Sequence, residues 1–267
     1  MSIEQTIASS VRIHPTLAEQ IHHHQWPNGL QLWLCPRPGR TVSVHLSVAA
    51  GSLDRGTPEQ ILPAGTAHFL EHRLFEKHDG DLTGQFAALG ADIDAETGFT
   101  HTSFTCDVAP SRMSGCLELL ARLVLEPYFP ESAVERERDI ILREIELYED
   151  NVEWVAFQAA TQALYPDQPI ADDIAGTGQS LTRIDASALA TAHRHLYRPD
   201  RMQLIVTGPV DMEPLRDTVE ELFAGLSRSP DQSIPAHQIA MAAPCRIHKQ
   251  LALARPRLWL GIADTPP

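Results

Sequence analysis

Residues 65–79 read GTAHFLEHRLFEKHD, and inside them HFLEH sets two histidines and a glutamate within five positions. Apolar Phe69, Leu70, Leu74 and Phe75 recur around them at helical spacing, and no glycine or proline interrupts Thr66 to Asp79. The spacing predicts a helix over 60–78. On such a helix His68 and His72 project about 40° apart and Glu71 stands about 60° to one side, so all three face one small volume. Two neutral imidazoles four residues apart can hold zinc while the carboxylate between them polarises water. The order HxxEH is the reverse of the more familiar HExxH. The other reading of the same residues is the partly buried polar edge of an amphipathic helix. A third ligand separates the two.

The stretch ESAVERERDIILREIELYEDN, residues 131–151, is the next helix with chemistry on it. Ser132 is its expected cap, and Val134, Ile141, Ile145 and Tyr148 form its apolar stripe. Glu137 and Glu144 lie seven apart, nearly superposed, and flank that stripe, whereas Glu146 and Glu149 point elsewhere. A carboxylate at the margin of a buried face is costly unless paired or coordinated, which singles these two out as ligand candidates. The alternative is a solvated charged face.

Together the HFLEH helix, the ERDIILREI helix and the strand-like text between them resemble the insulinase and pitrilysin family of zinc metallopeptidases, which includes the mitochondrial processing peptidases. The resemblance implies Zn2+ as cofactor, His68, His72 and Glu144 as metal ligands, Glu71 as general base and Glu137 as a supporting catalytic carboxylate. It covers roughly residues 22–267. The gap from His72 to Glu144 is 72 positions, slightly short for the family. Local text (HRLFEKHDGD, DDIAGT, RPDRMQLIVTGPVD) is similar to a bacterial cytoplasmic branch found near peptide-processing gene sets.

Residues 26–54 read as two strands opened by an Asn28-Gly29 turn. Residues 90–108, GADIDAETGFTHTSFTCDV, alternate like paired strands and resemble the family's edge strand, which holds an extended peptide by main-chain hydrogen bonds. By position the resemblance implies Asp94, Ala95 and Glu96 as the substrate-binding residues. The family more often has an asparagine and an aromatic residue at the first and third, and two acids there favour a basic peptide.

Composition bounds the rest. With 267 residues, 43% of them hydrophobic, the chain can bury one good core and begin a second unit. A formal charge of −14 argues against nucleic acid or an anionic membrane as partner and suits cationic peptides. Four cysteines without a CxxC pair indicate neither a cysteine metal site nor a disulfide scaffold, and no basic start precedes an apolar run, so the expected location is cytoplasmic. The fold class expected from locally paired strands with helices between them is α+β, a mostly antiparallel sheet flanked by helices. Residues 1–24 read as a loosely ordered segment, 25–226 as the metallopeptidase domain, 227–244 as a linker, and 245–267 as the opening strands of a truncated second homologous unit.

The resemblance implies a zinc-dependent endopeptidase half that needs a second homologous half, in a homodimer or heterodimer, for full activity. Two rivals stay open: a non-catalytic zinc-binding subunit of a peptidase-like complex, and a zinc hydrolase of small molecules. His22–His24, His101, His193 and His195 are read as ordinary histidines.

Overall fold

The computed structural model describes residues 8–17, 19–57, 60–223, 226, 243, 245–251 and 255–262. Its first strands are β1 (Ala8–Ile13), β2 (Gln20–Gln25), β3 (Gln31–Pro36) and β4 (Val42–Val48). Leu32, Leu34, Val42, Val44, Leu46 and Val48 are all buried, as the period of two requires of strands with one face on a core. Gly29 makes the turn between β2 and β3 at φ +95°, and a Cβ there would come within 2.7 Å of Asp200, so both backbone and space demand glycine. Among the described residues up to 25, where the sequence predicts a loosely ordered segment, β1 and β2 pair antiparallel through six residue pairs.

After a short ribbon, β5 (Gly56–Thr57) and β6 (Gln60–Ile61), comes α1 (Thr66–Arg73). It is much shorter than 60–78. Gly65 enters it at φ +88° against the Ala175 carbonyl, and beyond Leu74 the chain folds into the hairpin β7 (Glu76–Lys77) and β8 (Gly80–Asp81). Lys77 Nζ there donates to the carbonyls of Leu123 and Glu126, at 3.0 and 2.6 Å. That tertiary demand ends the helix where sequence periodicity does not.

Then follow α2 (Leu82–Ala88), β9 (Asp92–Thr97), β10 (Thr102–Val108), α3 (Met113–Leu125), α4 (Glu131–Glu149) and α5 (Val152–Leu164). The last elements are α6 (Gly178–Leu181), α7 (Ala186–Leu196), β11 (Met202–Gly208) and α8 (Met212–Phe223). Pro130, not Ser132, stands at the N-cap of α4. Of its predicted stripe Val134 and Ile141 are buried, Ile145 is half-buried, and Tyr148 is exposed and tilted against Trp154.

The main sheet has seven strands in the order β1-β2-β3-β11-β4-β10-β9. Every pairing is antiparallel except β3 with β11. This is the expected mostly antiparallel α+β architecture. The core joins Leu32, Leu46, Phe104 and Leu204 of the sheet to Phe69 and Leu70 of α1, Leu120 of α3, Leu189 of α7 and Val219 of α8. Burial on that scale stabilises each large side chain by about 1.5–3 kcal/mol relative to exposure. The proposed linker, 227–244, lies almost wholly outside the described residues. In 245–251 and 255–262 no described residue is in a strand. Among the described residues no helix is long and apolar enough to cross a membrane.

Candidate active site

Helix α1 is anchored by Phe69 and Leu70, both fully buried, and this turns His68 and His72 toward α4. Ile141, also fully buried, seats α4 so that Glu144 faces the same space. Ligand-capable atoms of His68, His72 and Glu144 all lie within 4.8 Å of one another. Glu144 Oε2 stands 3.8 Å from His68 Nε2 and 3.6 Å from His72 Nε2. These separations are too long for hydrogen bonds and suit three donors around a shared ion. Two imidazoles and a carboxylate are also the donor number of a catalytic zinc site, which leaves one position open.

Glu137, one helical heptad earlier, reaches behind the cluster. His72 Nδ1 donates to Glu137 Oε1 at 3.0 Å, which leaves the Nε2 lone pair directed at the shared space. Glu137 Oε2 in turn accepts from Arg73 Nη1 at 3.3 Å, and Arg73 also pairs with Glu76 at 2.8 Å. Arg73 is 2% exposed, the largest side chain so deeply buried among the described residues. Glu137 therefore orients the His72 ring.

Glu71 is 7% exposed and accepts a hydrogen bond from Thr97 Oγ1 at 2.8 Å. Thr97 Oγ1 lies 3.4 Å from Thr102 Oγ1, which donates to the Ala50 carbonyl at 2.8 Å. Glu71 is thus tied to the end of β9 and through it to the sheet.

Burial and the charges set the protonation preferences. Burial, with the neighbouring His72, drives His68 down to about 3, so it is a neutral donor. Burial also opposes charge on His72, but its bond to Glu137 and the surrounding carboxylates outweigh this and raise it. Burial pushes Glu71 up; Thr97 and His72 pull against it, while Glu144 and Asp94 add to the push. For Glu137 the cost of burial is overcome by His72 and Arg73, which hold its carboxyl below the usual range.

Among the described residues β9 is the last strand of the sheet order, with β10 on one side only. Asp94 and Glu96 are exposed on it, and Ala95 between them is half-buried against the core. The alternation places Ala95 with Thr97, and Asp94 with Glu96 on the opposite face. Arg73 and Thr97 were not singled out from sequence. Thr97 stood inside the strand read as substrate-binding, and an arginine directly after HFLEH on an apolar helix was the available signal for Arg73.

Residues 36–178 match the family model of insulinase (peptidase family M16). The chain belongs to this family. Residues 183–258 match the model of the M16 inactive domain. The uncharacterized zinc protease YmfH of Bacillus subtilis is 37% identical over 213 residues, 77% of this chain and 49% of that protein. The mitochondrial-processing peptidase subunit beta of Neurospora crassa is 31% identical over 191 residues, 70% of this chain and 39% of that protein. The crystal structure of an M16-like peptidase from Alicyclobacillus acidocaldarius superposes with a TM-score of 0.72 at 29% identity, over 86% of this chain and 52% of that one. A Helicobacter pylori protease shares the fold, with a TM-score of 0.75 at 19% identity over 84% of this chain and 55% of that one. The chain spans about half the length of the curated relatives it matches.

Proposed function

We propose that this chain is the zinc-binding, base-carrying half of a metalloendopeptidase. The observation that carries this reading is the convergence of His68, His72 and Glu144 from two separate helices, with Glu71 beside them. In this reading His68 Nε2, His72 Nε2 and Glu144 Oε2 hold Zn2+. The ion supplies Lewis acidity and a more acidic water when bound.

Glu71 takes the proton of the attacking water and later returns it to the leaving amine of the cut peptide. Thr97 keeps the Glu71 carboxylate in one orientation. Glu137 keeps His72 in the tautomer protonated at Nδ1, whose Nε2 lone pair is free for the ion, and Arg73 keeps Glu137 ionised. An extended peptide adds to the open side of β9 by main-chain hydrogen bonds, so the site accepts many sequences. Asp94, Ala95 and Glu96 line that edge, and the two acids favour basic segments.

Full activity requires a second homologous half. The match to the inactive-domain model at the C-terminal end of this chain supports that, as does the naming of a relative as a subunit. Elemental analysis of the purified chain tests the metal, with one zinc per chain expected. A peptide-library digest of the chain alone and mixed with a homologous second half tests the chemistry. Zinc without cleavage in either condition would leave a non-catalytic subunit, and cleavage of small amides alone would leave a small-molecule hydrolase.

A further inference from the structure

Cys106 and Cys116 show no spacing in sequence that marks them as a pair, yet the fold brings them together. Cys106 sits on β10 with its side chain toward the helices, and Cys116 is in the first turn of α3. Their Sγ atoms are 2.7 Å apart, and both residues are fully buried. Closing that gap to a bonded length of about 2.05 Å takes a shift of about 0.7 Å, which side-chain rotation can supply. Cys35 and Cys245 are not at this contact: Cys35 lies toward Glu19 and Cys245 is exposed beside the Ala163 carbonyl.

We propose that Cys106 and Cys116 form a dithiol–disulfide couple that braces β10 against α3. With a small-molecule disulfide as oxidant, the Cys106 thiolate attacks one of its sulfurs and expels the other as thiolate. Cys116 then loses its proton and attacks the Cys106 sulfur, releasing the second thiolate. Two protein thiols and one small disulfide become one protein disulfide and two small thiols. Solvent reaches neither sulfur in the closed fold, so exchange proceeds before the core closes or through opening of α3 from the sheet. The bond would lie one strand in from β9, cross-linking the layer that positions Thr97.

The test is to unfold the full chain and refold it in oxidised and in reduced glutathione, then block free thiols with iodoacetamide under denaturing conditions and map the peptides by mass. The expected product in oxidised glutathione is one peptide pair joined through Cys106 and Cys116, lighter by two hydrogens, with Cys35 and Cys245 alkylated or carrying glutathione. Its thermal midpoint should exceed that of the reduced chain, and the increment should vanish in Cys106→Ala and in Cys116→Ala. Full alkylation of both cysteines after refolding in oxidised glutathione would overturn the proposal. So would cross-links that involve only Cys35 or Cys245.

Discussion

Thr97 Oγ1 donates to Glu71 Oε2 across 2.8 Å, so the last residue of the open strand β9 holds the carboxylate that stands beside the two histidines. In the proposed reading, the strand that meets the substrate and the group that moves the proton are therefore one mechanical unit. Replacing Thr97 by valine keeps the shape and removes the donor. Loss of one such bond to a charged group corresponds to about 1.5–3 kcal/mol. In the assembly with a second half, Thr97→Val should lower peptide hydrolysis by at least about tenfold with zinc content unchanged, and Thr97→Ser should recover most of it. Equal rates for valine and threonine would show that the bond does not position the base.

Glu71 and the ligands separate by what they lose. Glu71→Gln should retain one zinc per chain in elemental analysis and reduce hydrolysis by about 10²–10⁴, the usual worth of a positioned base. His68→Ala, His72→Ala and Glu144→Ala should lose both metal and activity. A Glu71→Gln variant that cleaves at the normal rate would take Glu71 out of the role.

Metal removal offers an independent readout. Phe69, Leu70 and Ile141 anchor α1 and α4 in the core without any ion, so the chelated chain should remain folded by circular dichroism. Zinc at about 100 times its dissociation constant should then add about 2.7 kcal/mol of stability, seen as a rise in the thermal midpoint. No rise on adding zinc to the chelated chain would contradict a preformed site.

Arg73 and Glu137 form the support behind His72. Arg73→Ala leaves the half-buried Glu137 carboxylate short of its cation and empties a fully buried site, and should cost about 3 kcal/mol in denaturant unfolding. Glu137→Gln keeps the volume but changes the acceptor that fixes His72, and should weaken zinc binding by about 10–100-fold in a competition titration. Unchanged affinity in Glu137→Gln would confine Glu137 to a structural pairing with Arg73.

How far these residues were visible in the sequence follows from the range of the interactions that place them. His68, Glu71 and His72 lie within little more than one helical turn, and Glu137 and Glu144 stand two turns apart on one face, so helix geometry alone aligns each set. The family resemblance joined the two. Helix α4 and strands β3, β4, β9 and β10 fall within the stretches 131–151, 26–54 and 90–108 read from the sequence, because each carries its own apolar pattern. Strands β1 and β2 did not, since SSVRI and QIHHHQ lack that alternation. His24 is nonetheless buried, bonded to Ser9 at 2.7 Å and edge-on to Trp26. Arg73, Thr97 and the pair Cys106 and Cys116 have meaning only through partners on other elements, which a reading along the chain does not supply.

Lys77 offers the pH prediction. Its ammonium is buried in the β7–β8 hairpin, where it donates to Leu123 and Glu126 carbonyls at the end of α3. Burial lowers it from 10.5 to about 8, against the pull of Glu126. A folded value below the unfolded one means that the folded chain gives up this proton first. Below pH of about 8 both states keep it and the contribution is constant; between about 8 and 10.5 the unfolded state binds more protons, so this group's contribution to stability rises with pH. Lys77→Met removes that titration. The stability of the original chain relative to Lys77→Met, from urea unfolding at intervals from pH 7 to 10.5, should therefore be flat at first and climb through the upper window. A difference that stays flat throughout, or falls, would show that the Lys77 proton is held as firmly in the folded chain as in the unfolded one.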